Sequence, residues 1–115
     1  RTNFDVEMML GDALFFATGR LVAREHHERW DGTGYPDRKK GEEISLAARI
    51  VAVADVFDAL TSKRPYKEAW STERGLAAIE ADSGKHFDPG VVAAFVSLYR
   101  DGTVEAVRSE VGDQP

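Results

Sequence analysis

Two adjacent histidines, His26 and His27, lie in the stretch REHHERWDGTGYPDR, and the chain has only three histidines in all. Imidazole nitrogens are common ligands of transition metals. Neighbouring residues on a helix point roughly 100° apart, so the pair would serve two adjacent metal centres, or one metal and one substrate oxygen. Such a multinuclear centre polarises a phosphoryl oxygen and activates a water. The alternative is that one histidine caps a helix end and the other is a surface residue. Glu28 is a candidate to orient an imidazole.

Two acids, Asp55 and Asp58, stand in the apolar stretch IVAVADVFDAL and share one face of a predicted helix. We expect Asp55 to be buried because this helix is apolar nearly all round, and a buried carboxylate is unfavourable without a cation or hydrogen-bond donors. Two such acids repel each other unless a positive group lies nearby. A divalent metal is the simplest solution, followed by Arg64 or Lys67. The alternative is that the acids cap neighbouring helices or pair with Arg49.

A glycine loop and a basic turn complete the candidate site. Tyr35, in the loop DGTGYP, could stack on a base or pack beneath the loop, and the loop glycines allow close backbone approach to a ligand. The turn KRPYK places Arg64 and Lys67 directly after the acidic helix. These cations suit phosphate oxygens and indicate an anionic ligand; the alternative is a solvated basic turn. His86, in GKHFDP, is expected to pack or hydrogen-bond locally rather than bind a ligand.

Helical periodicity dominates the elements that must position these residues, and we predict an all-α fold. Residues 4–26 form two helices, or one helix interrupted at Gly11 and Gly19. Residues 45–62 form the clearest helix, with Ser45 as its N-cap. Its apolar residues recur at helical spacing and form one continuous stripe: Leu46, Ile50, Val53, Phe57 and Leu60.

Two further helices follow in the second half of the chain. Ser71 caps a short helix over residues 72–82, and Asp88, followed by proline, starts a last helix that ends at Gly102. The remaining predicted boundaries are a loop at 31–43, a helical domain at 1–102 and a polar tail at 103–115.

Length and composition restrict the class of protein. The chain has 115 residues, which is enough for one domain or part of one. Its net charge of −5 argues against general affinity for nucleic acid. Cysteine is absent, which excludes disulfides and fits a reducing compartment such as the cytoplasm. No apolar run reaches the length of about 18 residues that a membrane span needs.

Three motifs together resemble the HD-GYP family, the bacterial cyclic di-GMP phosphodiesterases of the HD superfamily. These are HHERWDGTGYP, then ADVFDALTSKRPYK with its first aspartate 29 residues after His26, and finally GKHFDPGVVAAF. The match runs from about residue 20 to residue 99. The resemblance implies a helical bundle with iron or manganese ions in a di- or trinuclear site, and a loop that in some relatives contacts diguanylate cyclase domains. The residues implied by it are the metal ligands His26, His27 and Asp55, the catalytic residue Asp58, and the substrate-binding residues Tyr35, Arg64 and Lys67.

The sequence departs from the family at its defining His-Asp pair, which bridges two metals and precedes the doubled histidine. No His-Asp dipeptide occurs here, and the first residues, RTNFDVEMML, contain no histidine. We therefore expect either the C-terminal part of a longer enzyme, truncated on the N-terminal side of its bundle, or a degenerate relative. The abrupt start without methionine favours the first expectation.

Three functions are consistent with these observations. The first is part of a metal-dependent phosphodiesterase site, controlled in its parent by an upstream sensor or receiver domain, with negligible turnover by this chain alone. The second is a non-catalytic module that binds cyclic di-GMP or docks a partner through the loop at 31–43. The third is a helical remnant that self-associates through an incompletely covered apolar stripe.

Overall fold

The computed structural model describes residues 3–102, with side chains described for residues 12 and 15–102. The predicted tail at 103–115 lies outside these residues. Within them the secondary structure is helical, without a named strand, so the predicted all-α fold is confirmed. None of the described helices is both long enough and apolar enough to cross a membrane. The helices are α1 (Asn3–Glu25), α2 (Leu46–Thr61), α3 (Thr72–Ala81) and α4 (Pro89–Arg100).

Helix α1 is a single helix of 23 residues, and the predicted interruption at its glycines is wrong. An isolated glycine inside a helix costs only about 1 kcal/mol relative to alanine, which is too little to end a helix that continues on both sides. At Gly19 an added Cβ would meet nothing within 4 Å, so no packing contact demands glycine there.

Side-chain caps start the other three helices where the sequence predicted them. The hydroxyls of Ser45 and Ser71 each accept the backbone N–H three residues on, at 3.2 and 3.1 Å. The Oδ1 atom of Asp88 accepts the N–H two residues on, at 2.7 Å. Gly102 follows the end of α4 with a φ of 85°, a left-handed conformation that suits glycine. These three bonds and the glycine explain why these helix boundaries could be read from local chemistry.

The core lies where α2 packs against α3 and α4. Val53 and Phe57 of α2 are 0% and 4% exposed, and the Phe57 ring contacts those of Phe95 and Tyr99 at centroid distances of 5.1 and 4.8 Å. Further buried members of this cluster are Ala52, Leu76, Ile79, Phe87, Val92 and Val96. These contacts fix α2 as the element around which the candidate site is built.

The apolar stripe of α2 is covered only in part. Leu46 and Ile50 are 55% and 49% exposed, and they line an apolar groove of about 530 Å³ between α2 and α4. Beneath this end of α2, Arg49 pairs with Asp88 at 2.7 Å rather than with the acids of its own helix. The ion pair joins the start of α2 to the start of α4 and leaves the outer apolar residues uncovered.

Candidate functional site

The two histidines lie in the turn directly after α1, not on the helix itself. The Nδ1 atom of His26 lies 2.9 Å from the Ala23 carbonyl oxygen and 3.1 Å from that of Val22. Because a carbonyl oxygen can only accept a hydrogen bond, Nδ1 carries a hydrogen, and in a neutral imidazole Nε2 then has a free lone pair. His26 therefore caps the helix end, as the alternative reading predicted, and still offers one nitrogen to a metal.

The two imidazole rings do not diverge as adjacent residues of a helix would. Their centroids are 3.9 Å apart with the ring planes tilted by 42°. His27 is exposed and stacks on Tyr35, with centroids 4.8 Å apart and an interplanar angle of 17°. The predicted divergence is wrong because α1 ends at Glu25, so the turn sets the two directions.

Two buried glutamates hold the loop that follows the histidines. Glu25 is 1% exposed, receives the Lys39 ammonium at 2.6 Å and accepts the Ser45 backbone N–H at 3.0 Å. Glu28 is 2% exposed and accepts the backbone N–H groups of Asp37 and Lys39 at 3.2 and 2.9 Å. Glu28 was predicted to orient an imidazole; that prediction is wrong because its carboxylate is engaged by the loop backbone.

The charge of Glu25 is stabilised where it is buried. Burial by itself raises the pKa of this carboxyl, but hydrogen bonds from Lys39 and Ser45 outweigh that effect and hold the pKa below its usual value. The carboxylate is therefore ionised at neutral pH and ties the end of α1 to the start of α2. This tie fixes the distance between the histidine turn and the helix that carries Asp55.

The GYP loop passes directly over the histidine turn at Gly34, which is buried. An added Cβ at Gly34 would lie 2.4 Å from the His27 carbonyl oxygen and 2.5 Å from the Arg29 nitrogen. Asp31 fixes the start of the loop by accepting the Thr33 N–H at 3.0 Å and its hydroxyl at 2.6 Å. The hydrogen bond from the Thr33 hydroxyl, and after it the bond from the Thr33 N–H, hold the pKa of Asp31 below its usual value. The close approach leaves Tyr35 61% exposed beside His27.

A pocket of about 190 Å³, here called the histidine pocket, brings the predicted metal ligands together. It is lined by His26, His27, Ala52, Asp55, Val56, Ala59 and His86. Asp55 is exposed, and the prediction that it is buried is wrong. Helices α3 and α4 cover the side of α2 that carries Val53 and Phe57, whereas the side that carries Asp55 faces this open pocket.

The donors of the histidine pocket suit a transition metal in kind, since two imidazoles and a carboxylate are ligands that iron and manganese accept. Among the residues with described side chains, however, no three His, Asp or Glu groups lie close enough together to hold an ion as a set. The free Nε2 of His26 is the donor whose direction the hydrogen bonds already determine. His27 and Asp55 are exposed and line the same pocket.

A second pocket of about 260 Å³, here called the loop pocket, adjoins the first. It is lined by His27, Arg29, Thr33, Gly34, Tyr35 and His86. His86 stacks on Phe87 with centroids 4.2 Å apart, so the predicted local packing is present, but its side chain also lines both pockets. Burial first, and then the charge of Arg29, lower the pKa of His86, which is therefore neutral at neutral pH.

The other three predicted site residues lie at the C-terminal end of α2 and in the turn after it. The Asp58 side chain is 67% exposed, accepts the Ser62 hydroxyl at 2.9 Å and lies 3.5 Å from the Arg64 guanidinium. Asp58 thus has the arginine partner that the sequence offered as an alternative to a metal. The Lys67 ammonium donates to the Ala59 carbonyl at 3.3 Å, and Ala59 lines the histidine pocket. The roles of these residues remain predictions.

Sequence reasoning missed two residues that line the pockets. His86 was set aside because it precedes a helix start, and Arg29 was not considered. The signal for His86 was available, because its motif is one of the three that carry the resemblance. Backbone bonds from Trp30 to His86 at 3.1 Å and from Asp31 to Lys85 at 2.9 Å bring the two segments together. The contact joins positions far apart in the chain, which spacing alone cannot predict.

Comparison with known proteins relates the chain to one group of enzymes. The profile of the HD domain family matches residues 5–91. The cyclic di-GMP phosphodiesterase response regulator RpfG of Xanthomonas campestris is 58% identical over 82 residues, which are 71% of this chain and 22% of that protein. A cyclic di-GMP phosphodiesterase of Vibrio cholerae is 50% identical over 92 residues, which are 80% of this chain and 19% of that protein.

A solved structure gives the same relationship. The crystal structure of a cyclic GMP-AMP-specific phosphodiesterase of V. cholerae aligns with a TM-score of 0.60 and 32% sequence identity, over 73% of this chain and 21% of that chain. The chain therefore spans about a fifth of the length of these relatives.

Proposed function

We propose, from the premise that this chain belongs to the HD domain family and within it to the HD-GYP group, that it contributes to a metal-dependent site that hydrolyses cyclic di-GMP. Phosphodiesterases with an HD domain are generally metal-dependent. The matched relatives are named for cyclic di-GMP and cyclic GMP-AMP, and the chain covers about a fifth of their length. Hydrolysis requires the complete metal site, to which this chain contributes only part. We place this activity in bacterial signalling and in the cytoplasm.

The observation that carries the proposal is the histidine pocket. His26 and His27 come from the turn after α1, and Asp55 comes from α2, yet all three line one small cavity. The Nδ1 hydrogen bonds of His26 turn its free nitrogen away from the helix end, which is the arrangement that metal-binding histidines use. If the two histidines were only surface residues, there would be no reason for a carboxylate from another helix to line the same pocket.

Each residue then has a defined role. Divalent ions, which we propose to be iron or manganese in a di- or trinuclear centre, would polarise a phosphoryl oxygen and activate a water. His26, His27 and Asp55 would hold them. Beyond the centre, the predicted roles are phosphate binding for Arg64 and Lys67, contact with the substrate for Tyr35, and a catalytic role for Asp58.

Three donors leave coordination positions open, and this sequence contains no His-Asp dipeptide to fill them. We therefore expect only weak metal binding by the chain and negligible turnover without further ligands. The second candidate function is binding of cyclic di-GMP without catalysis. It is favoured by the absence of a ready three-ligand cluster among the described side chains. It predicts binding that survives a chelator and weakens in Arg64→Ala.

Metal content tests the proposal most directly. We expect the purified chain, made without a histidine tag or chelator, to carry iron or manganese measurably above background by plasma mass spectrometry. In His26→Ala/His27→Ala both imidazole donors are gone, and the metal content should fall to background. Asp12→Asn, which changes an exposed acid on α1, is the matched control and should keep its metal.

Two results would count against the proposal. Equal metal in the double variant and in the control would show that the histidine pocket is not the binding site. Sustained, metal-dependent hydrolysis of cyclic di-GMP by the chain alone would contradict the expectation that more ligands are needed.

We propose two protein contacts as well. The exposed apolar groove, with Leu46 and Ile50, supports self-association, and the exposed loop with Tyr35 supports docking of a diguanylate cyclase domain. For self-association, the expected result in light scattering is a dimer that Ile50→Glu converts to a monomer. For docking, the expected result is a larger mass when a diguanylate cyclase domain is added. A monomer at every concentration, or no mass increase with the cyclase, would contradict the respective contact.

A further inference from the structure

The histidine pocket and the loop pocket are adjacent and share two wall residues, His27 and His86, and the two compartments together are called the cleft here. Their volumes are about 190 and 260 Å³. Sites for small molecules usually enclose roughly 300–1,000 Å³, so neither compartment alone suits a dinucleotide, whereas the joined cleft does. A ligand with a phosphate in the histidine pocket would extend past His86 into the loop pocket.

The loop pocket contains an arginine nitrogen without a partner. Among the described side chains, Arg29 Nε is the buried polar atom with no hydrogen-bond partner, and its nearest carboxylate oxygen, on Asp31, is 3.8 Å away. The Arg29 side chain is 36% exposed and lines the loop pocket. A buried donor without an acceptor is unfavourable, and an acceptor brought by a ligand would relieve it.

His86 and Tyr35 give the same compartment its shape. The backbone of His86 is fixed by the N–H of Trp30, which donates to its carbonyl oxygen at 3.1 Å, and its ring is held by stacking on Phe87. A held imidazole presents one hydrogen-bond donor and one acceptor in set directions. Tyr35 adds a flat ring that lies nearly parallel to that of His27. Flat rings of this kind are surfaces on which nucleobases stack.

We propose, on the basis of the proposed function, that the loop pocket holds a guanine base of the dinucleotide, with Arg29 and His86 as its polar contacts. Guanine presents two acceptors, O6 and N7, to an arginine fork, whereas adenine replaces the first by an amino donor. Arg29 therefore contributes to the choice between guanine and adenine. The phosphates remain with the predicted metal ligands and with the basic turn.

The test measures binding of unlabelled cyclic di-GMP and cyclic di-AMP to the whole chain by calorimetry. Arg29→Gln is expected to weaken cyclic di-GMP binding by about tenfold or more, with little change for cyclic di-AMP, because glutamine suits the adenine edge. His86→Ala should weaken cyclic di-GMP binding in the same direction. Arg74→Gln, an exposed change on α3, is the control and should bind as the wild type does.

The outcomes separate this inference from the proposed function. Unchanged cyclic di-GMP binding in Arg29→Gln and His86→Ala would overturn the inference and leave the proposed function intact. Equal losses for both dinucleotides would overturn it too, because a phosphate contact does not distinguish the bases. No binding of either dinucleotide by the wild-type chain would overturn both. Circular dichroism of each variant, with His86→Gln as a second substitution, separates lost binding from lost folding.

Discussion

Replacing Gly34 by alanine is expected to lower the free energy of unfolding by about 3 kcal/mol or more. The new Cβ would lie 2.4 Å from the His27 carbonyl oxygen, 2.5 Å from the Arg29 nitrogen and 2.7 Å from Glu28 Cα. All three are backbone atoms, so no side-chain rotation can relieve the overlap. The GYP loop must lift from the histidine turn, and Tyr35 moves with it. Urea unfolding followed by circular dichroism measures the change.

The matched control is Gly19→Ala in α1, where an added Cβ meets nothing within 4 Å. Alanine should stabilise that helix by up to about 1 kcal/mol. Opposite signs for two glycine-to-alanine changes would show that packing, and not glycine itself, decides the outcome. Equal stability of Gly34→Ala and the wild type would mean that the loop does not lie on the turn as described.

Replacing Asp88 by alanine is expected to cost about 3–5 kcal/mol, because the change removes a helix cap and leaves Arg49 as an unpaired, largely buried cation. The two side chains are 16% and 10% exposed, and their charged atoms are 2.7 Å apart. The same carboxylate caps α4 through its other oxygen at 2.7 Å. The ion pair joins the starts of α2 and α4. Thermal and urea unfolding should both report the loss of stability.

Two variants divide this effect into its parts. Asp88→Asn keeps the cap and loses only the charge, and Ser71→Ala removes an exposed cap at a cost of about 1 kcal/mol.

Burial by itself raises the pKa of Asp88, but the Arg49 hydrogen bond and the helix N–H groups outweigh it, and the pKa is lowered from 3.8. The charge of Asp88 thus stabilises the fold fully above pH 3.8, and this contribution is lost as pH falls through the lower, folded-state pKa.

The stability difference between the wild type and Asp88→Asn should therefore close in acid. A difference that stays constant from neutral pH to well below 3.8 would contradict the ion pair. Stability in Asp88→Ala equal to that in Ser71→Ala would show that the cap alone matters.

The starts of α2, α3 and α4 and the candidate ligands were available from the sequence because they depend on neighbours in the chain. Ser45, Ser71 and Asp88 each cap a helix that begins at the next residue. The doubled histidine, the first aspartate of the acidic helix and the GYP loop occur in the order and spacing of the HD-GYP family, which the comparisons support. Local hydrogen-bond chemistry and motif spacing carry this information without any knowledge of packing.

The tertiary structure decided which sides of these elements are covered. Asp55 is exposed although its helix looks apolar, because α3 and α4 pack on another side of α2. Glu28 serves the loop backbone and not an imidazole, because the chain turns back over it.

The cleft itself also depends on packing. His86 meets the histidine turn only because the loop before α4 pairs with residues 30 and 31. The physical reason is that burial and cavity walls come from contacts between segments distant in sequence, and residue periodicity within one segment does not contain them. The sequence by itself therefore determined α2, α3 and α4, their caps and the candidate ligands, and the packing of the helices determined which of these candidates line a common pocket.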